Sequence, residues 1–272
     1  MPFTLAHPAA VIPLARTRLP ASALVAGSLV PDFLYFIPGH IDHNFGHTSV
    51  GLVLFCIPVG LITLVLFHHV MKMPLLDLLP DNPRKLLARR PNQFTFGPWR
   101  RFMRVLVSLT VGSLTHLAWD SFTHERGFAV ANVALLKVAI VQTPYGGVRV
   151  FKLLQHGSTL VGCAALIFWY LIWARRQPRP ANQTNCRLVS RTRRVVNWAL
   201  AIWALVTGLT GAYVASRRRE GSQWARFFAN RSILITIGAL FFGLLLFSLY
   251  WHWKAFKDYR SANTIKPSAS NL

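Results

Sequence analysis

The stretch "TSVGLVLFCIPVGLITLVLFHH" at residues 48–69 decides the structural class of this protein, because it contains no acidic residue, lysine or arginine. A helix needs about 20 consecutive apolar residues to cross the hydrocarbon core of a bilayer. Four further runs reach or approach that length: 103–122, 156–174, 196–215 and 232–253. The shorter run at 128–141 contains Lys137 and is expected to be interfacial or packed among the helices. The sequence therefore predicts an all-α fold, a polytopic membrane helical bundle with five transmembrane helices.

The composition supports a membrane protein and argues against a soluble domain or a nucleic-acid-binding protein. Of the 272 residues, 53% are hydrophobic and 14% are charged, whereas a soluble domain carries about 25% charged residues. The chain has 30 Lys+Arg against 8 Asp+Glu, and the basic residues fall between the apolar runs. There they would meet anionic lipid headgroups. No nucleic-acid reader motif is present, so we expect membrane lipids and no nucleic acid as partners; the oligomeric state stays open.

The basic stretches also predict an orientation. By the positive-inside rule, 70–104, 175–195 and the basic tail lie in the cytoplasm of a multi-pass cell-membrane protein. The same count places the basic stretch 216–231 outside, so either this loop is an exception or one of its flanking runs does not cross. We predict three regions: a membrane-embedded metal-site domain at 1–175, a C-terminal transmembrane helix pair at 196–253, and a basic, partly disordered tail at 254–272.

Near the end of the second run, "THLAWDSFTH" at 115–124 carries His116, Asp120 and His124 four residues apart. On a helix these share one face, with neighbours about 6 Å apart. An ionisable residue inside a span is costly and by default indicates function, and imidazole with carboxylate suits zinc or a similar divalent ion. The alternative is a buried His–Asp hydrogen bond that serves packing. Gly127 is expected to end the helix in a left-handed conformation.

The predicted orientation puts Asp120 and His124 at the extracytoplasmic end of their span, and other segments bring histidine or aspartate to the same membrane face. His47 precedes the first span and His156 begins the third. Before them, 8–16 and 21–32 predict an N-terminal helical hairpin, too short to cross fully, whose open end joins His7 to Asp32. His43 and Asp42, in the loop before His47, are interpreted as solvated, although His43 could be a ligand. The candidate metal ligands are thus His7, Asp32, His47, His116 and Asp120, and the candidate proton-transfer residues are His124 and His156.

The motifs "MPFTLAHPAAVIPL", "LPASALVAGSLVPDFLYF", "GHTSVGLVLFCIPVGLI" and "GSLTHLAWDSFTH" resemble an uncharacterised bacterial membrane-protein family, a domain of unknown function. That family is similar to the predicted membrane-bound metal-dependent hydrolases and, more distantly, to zinc-dependent phospholipase C. The hydrolase motifs correspond to His7, Pro31-Asp32, His47-Thr48 and His116…Asp120. The region "HIDHNFGHT" departs from their pattern, so Asp42 and His43 have no matched counterpart. The resemblance implies a divalent metal, with zinc favoured, and supplies no substrate.

Two functions follow from these observations. The first is a membrane-bound metal-dependent hydrolase that acts on a phosphoester, such as a lipid substrate, at headgroup level. The second is a non-catalytic multi-pass membrane protein whose His/Asp cluster carries ions or protons or ties helices together. Transporters usually show an internal repeat or helices broken at the midplane. No repeat is visible here and the predicted cluster lies near one membrane face, which favours the hydrolase.

Overall fold

A computed structural model of the chain describes residues 4–37, 42–88, 94–143, 146–178 and 187–264. Its fold is all-α, and five of its helices are long and apolar enough to cross a bilayer. The predicted class is therefore confirmed. These helices are Ser49–Leu78, Trp99–Asn132, Val150–Arg176, Ser190–Ser216 and Gln223–Ser261, and the second of them is interrupted by a turn at 124–127.

Nearly all the elements along the described parts of the chain are helices. Two 3₁₀ helices, Thr4–Val11 and Pro13–Arg16, precede α1 (Ala21–Leu29), a third 3₁₀ helix (Val30–Phe36) and a 3₁₀ turn (Phe45–His47). Then come α2 (Ser49–Leu78), α3 (Asp81–Ala88), α4 (Trp99–Thr123), α5 (Phe128–Asn132) and α6 (Ala134–Lys137). An antiparallel hairpin of β1 (Ala139–Thr143) and β2 (Gly146–Arg149) leads to α7 (Val150–Arg176), α8 (Ser190–Ser216) and α9 (Gly221–Thr264).

The chain divides into two compact units, the first formed by Met1–Leu64 with Gln93–Pro178 and the second by Val65–Asn92 with Arg179–Leu272. In the first unit the predicted N-terminal hairpin is present, with α1 as its second arm. Its first arm is 3₁₀ rather than α-helical. Pro8 and Pro13 lie in this arm, and proline lacks the backbone N–H that an α-helix needs.

Helix α1 packs closely against α4 because glycines face each other across the contact. A Cβ on Gly27 would collide with the backbone of Leu109, and one on Gly112 would collide with the carbonyl oxygen of Leu24. The hydroxyl of Ser113 donates to the carbonyl oxygen of Gly27 across the same contact, at 3.1 Å. This approach carries the chain that follows α1 to the C-terminal half of α4.

In the second unit α8 packs against α9, and polar contacts connect both helices to the preceding segment. Arg193 donates to Asp81 at 2.9 Å, and the indole N–H of Trp251 donates to Asp77 at 2.8 Å. Helix α9 continues to Thr264, so the first part of the predicted tail is helical. The remainder of that tail, 265–272, lies outside the described residues.

Candidate metal centre

Four side chains from three separate segments converge in the first unit. Asp32, His47, His116 and Asp120 each offer one ligand atom, and all four atoms lie within 4.8 Å of one another. We refer to these residues as the His/Asp cluster. Asp32 comes from the 3₁₀ helix after α1, His47 from the turn before α2, and His116 and Asp120 from successive turns of α4.

The spacing within the His/Asp cluster matches that of ligands around one ion. His116 Nε2 lies 3.2 Å from Asp120 Oδ2 and 3.5 Å from Asp32 Oδ1. His47 Nε2 lies 3.3 Å from Asp120 Oδ2 and 3.4 Å from Asp32 Oδ1. Ligand atoms placed tetrahedrally at about 2.0–2.2 Å from zinc lie about 3.3–3.6 Å from one another. The four nitrogen–oxygen separations therefore match four of the six edges of such a tetrahedron, and the other two separations lie within 4.8 Å.

The tautomer of His116 leaves its Nε2 able to bind a cation. Its Nδ1 lies 2.8 Å from the carbonyl oxygen of Ser28, and because that oxygen can only accept, Nδ1 must carry the hydrogen. In the neutral ring, Nε2 then presents a lone pair to Asp32 and Asp120. This Nε2 is buried and has no hydrogen bond of good geometry among the described residues. A lone pair facing two carboxylates is repulsive unless a cation, either a proton or a metal ion, lies between them.

A proton competes with a metal ion for the position between the imidazoles and the carboxylates of the cluster. Burial by itself lowers the pKa of His47, but the carboxylates of Asp120 and Asp32 outweigh burial and raise this pKa to about 9. A divalent ion that binds the cluster must displace that proton.

Each carboxylate of the cluster is held by its second oxygen. Asp32 Oδ2 accepts a hydrogen bond from the hydroxyl of Thr4 at 2.6 Å. Asp120 Oδ1 lies 3.1 Å from His7 Nε2 and 3.3 Å from His124 Nδ1. Outer partners of this kind orient metal-binding carboxylates and raise metal affinity.

The remaining sequence-predicted residues lie at different distances from the cluster. His7 is buried, contacts Asp120 and stacks on His116 with ring centroids 4.0 Å apart, so it adjoins the four without being one of them. His124 follows α4 and its side chain is 31% exposed. His156 is exposed on α7, and no ion pair or hydrogen bond joins it to the cluster among the described residues. The side of α7 that carries His156 is exposed, whereas the neighbouring Gln155 is buried.

Two expectations about the surrounding chain turn out differently. Gly127 is not left-handed but extended, with φ −66° and ψ 145°; α4 ends at Thr123 with His124 as its C-cap. Glycine is still required there, because a Cβ would collide with the carbonyl oxygen of Ser121. His43, interpreted as solvated, is instead half-buried: its Nδ1 donates to the carbonyl oxygen of Leu34 at 2.9 Å and its ring stacks on Tyr35 at 5.3 Å.

Sequence reasoning missed three neighbours of the site. Thr4, one helical turn before His7, holds Asp32. Trp119 packs on His7 with ring centroids 5.7 Å apart. Tyr35 contacts His47 edge-on at 6.3 Å, and burial together with the charges of Asp32 and Asp120 raises its pKa to about 12, so it remains a neutral phenol. Their positions beside Asp32, His7 and Asp120 in the sequence were the only available signal.

A family profile described as "domain of unknown function (DUF4184)" matches residues 1–249. The chain belongs to this family. The matched range contains every residue of the His/Asp cluster, together with His7, His124 and His156. No curated protein and no solved structure matches the chain.

Replacing Thr4 tests whether the outer partners matter for metal binding. We expect Thr4→Val to weaken zinc affinity by about tenfold, because Asp32 loses the hydrogen bond that orients its carboxylate. Competition with a chromogenic chelator in detergent measures this affinity. Thr63→Val is the matched control, since Thr63 donates only to the carbonyl oxygen of Val59 in its own helix. Equal zinc affinities for the two variants would contradict this role of Thr4.

Proposed function

We propose that this DUF4184 protein is a membrane-bound, divalent-metal-dependent hydrolase that acts on a phosphoester at the level of the lipid headgroups. The observation that carries the proposal is the spacing of the His/Asp cluster, in which four nitrogen–oxygen contacts of 3.2–3.5 Å match four of the six edges of a zinc coordination tetrahedron. Two imidazoles with two carboxylates form a ligand set suited to zinc, which is the metal we favour.

The residues of the chain take distinct roles in this proposal. Asp32, His47, His116 and Asp120 would hold the ion, and a water molecule would complete its coordination as a fifth ligand. The bound ion would lower the pKa of that water and polarise the phosphoester. His124 contacts Asp120 and is partly exposed, so it would carry a proton between the site and solvent. The side chain of His47 is 21% exposed, which leaves the cluster open on that side.

Two features support a substrate at the membrane surface. The cluster lies where α4 ends and α2 begins, and both are helices that would cross the bilayer. The exposed Arg126 lies two residues after His124 and would attract the negative charge of a phosphoester. The distribution of basic residues supports the extracytoplasmic face as the side on which the site lies.

Hydrolysis of bis-(p-nitrophenyl) phosphate by the detergent-purified protein tests this function. We expect turnover that a chelator abolishes and that added zinc restores, with about one zinc bound per chain. The non-catalytic alternative predicts bound metal without turnover. Absence of both bound metal and turnover, measured before any contact with a chelator, would overturn the proposal.

A further inference from the structure

An apolar groove runs beside the His/Asp cluster on the surface of the first unit. It has a volume of about 560 Å³ and is open to the outside. Its walls come from three elements: α4 contributes Thr115, Trp119 and Thr123, α7 contributes Leu154 and Ser158, and the first 3₁₀ helix contributes Ala10. The indole N–H of Trp119 donates to the hydroxyl of Ser158 at 3.1 Å, so this contact joins the two helices that form the groove.

Along α4 the groove is nearly as long as the hydrocarbon layer of one leaflet is thick. From Thr115 to Thr123 it follows α4 for about 12 Å, at a rise of about 1.5 Å per residue. One half of a bilayer's hydrocarbon core is about 15 Å thick. Because α4 and α7 are both long and apolar enough to cross the membrane, the groove runs in the direction that acyl chains take.

One end of the groove lies next to His124, which contacts the cluster. Thr123 is the last residue of α4, and its hydroxyl lies 3.4 Å from His124 Nδ1, which in turn lies 3.3 Å from Asp120. Along the groove, Trp119 contacts the ring of His7. A chain in the groove would therefore emerge next to a residue that contacts the cluster.

The charge at this end complements an anionic headgroup. Arg126 is exposed in the turn after α4, and Arg149 is ion-paired with Glu125 at 3.1 Å in the same region. The groove itself is lined almost entirely by apolar surface. A ligand with one apolar chain and one anionic end matches both features.

We infer that this groove binds one acyl chain of a membrane lipid and thereby places the lipid's phosphoester at the His/Asp cluster. The inference rests on the proposed function for the identity of the site and adds the substrate class: a lipid phosphoester that stays embedded in its leaflet while its headgroup is cleaved.

Narrowing the groove tests this inference. Ala118 lines it on α4, and Ala118→Phe would fill part of its volume. We compare the kcat/KM for a dipalmitoyl phospholipid in mixed micelles with that for the dibutyryl phospholipid of the same headgroup. We expect Ala118→Phe to lower the long-chain to short-chain ratio about tenfold, because part of the chain is no longer buried. The matched control, Ala164→Phe, lies exposed on α7 outside the groove and should leave the ratio unchanged.

A binding measurement separates this inference from the proposed function. Phosphatidylglycerol with a diazirine in one acyl chain should crosslink in nanodiscs to residues 115–123 of the wild-type protein, and Ala118→Phe should reduce this labelling while Ala164→Phe preserves it. If the wild type cleaves bis-(p-nitrophenyl) phosphate but shows neither the chain-length preference nor this labelling, the groove inference is wrong and the proposed function stands. If the wild type cleaves nothing, the proposed function is wrong, and the labelling alone decides on the groove.

Discussion

Asp120→Asn is expected to abolish metal binding by the purified protein. Asp120 Oδ2 faces both His47 and His116, and Oδ1 faces His7 and His124, so this carboxylate contacts more histidines than Asp32 does. Asparagine keeps the size of the side chain but removes the negative charge. Because even outer partners of a metal site change affinity by about 10–100-fold, loss of a direct ligand should weaken zinc binding by about 100-fold or more.

The metal content of freshly purified protein, measured by mass spectrometry, checks this expectation. Asp42→Asn is the matched control, because Asp42 is exposed and accepts only from the backbone N–H of Asn44, at 3.0 Å. Circular dichroism should show that both variants retain the helix content of the wild type. Stoichiometric zinc in a folded Asp120→Asn protein would exclude Asp120 as a ligand.

Gly112→Ala should damage the site from a distance. A Cβ at this position would collide with the carbonyl oxygen of Leu24, and the backbone of α1 would have to move away from α4. Overpacking of a buried contact costs about 1–3 kcal/mol of the free energy of unfolding. Ser28 lies in the last turn of α1 and Asp32 follows that helix, so the displacement should also separate both residues from His116. Metal affinity should therefore fall together with stability.

Thermal unfolding in detergent, with and without zinc, measures both effects. Gly157→Ala is the matched control, because a Cβ at Gly157 of α7 meets no atom within 4 Å. Replacing glycine by alanine in an open helical position usually stabilises a helix, by about 0.5–1 kcal/mol. The two substitutions should therefore change the unfolding temperature in opposite directions. A Gly112→Ala protein as stable as the wild type would show that α1 and α4 tolerate a wider separation.

Much of the fold could be predicted because it depends on local pattern. The lengths of the apolar runs predicted the five helices that can cross a membrane, since a bilayer of given thickness requires a given number of apolar residues. The spacing of four between His116 and Asp120 placed both on one helical face by the same local geometry. The helix boundaries followed less closely from the sequence: α7 begins at Val150, so His156, expected to begin this span, lies in its second turn and is exposed.

The number of long apolar helices, the α-helical class and the face of α4 that holds His116 and Asp120 thus follow from local sequence pattern alone. Which distant residues meet that face depends on how the helices pack. Asp32 reaches His116 because Gly27 and Gly112 let the backbones of α1 and α4 come close, and His47 lies beside Asp32 because Gly46 packs against the backbone of Pro31. The carbonyl oxygen of Ser28 then fixes which nitrogen of His116 faces the carboxylates. A periodic pattern gives the direction of each side chain around its own helix axis, whereas the distance between helices depends on atoms that are far apart in the chain.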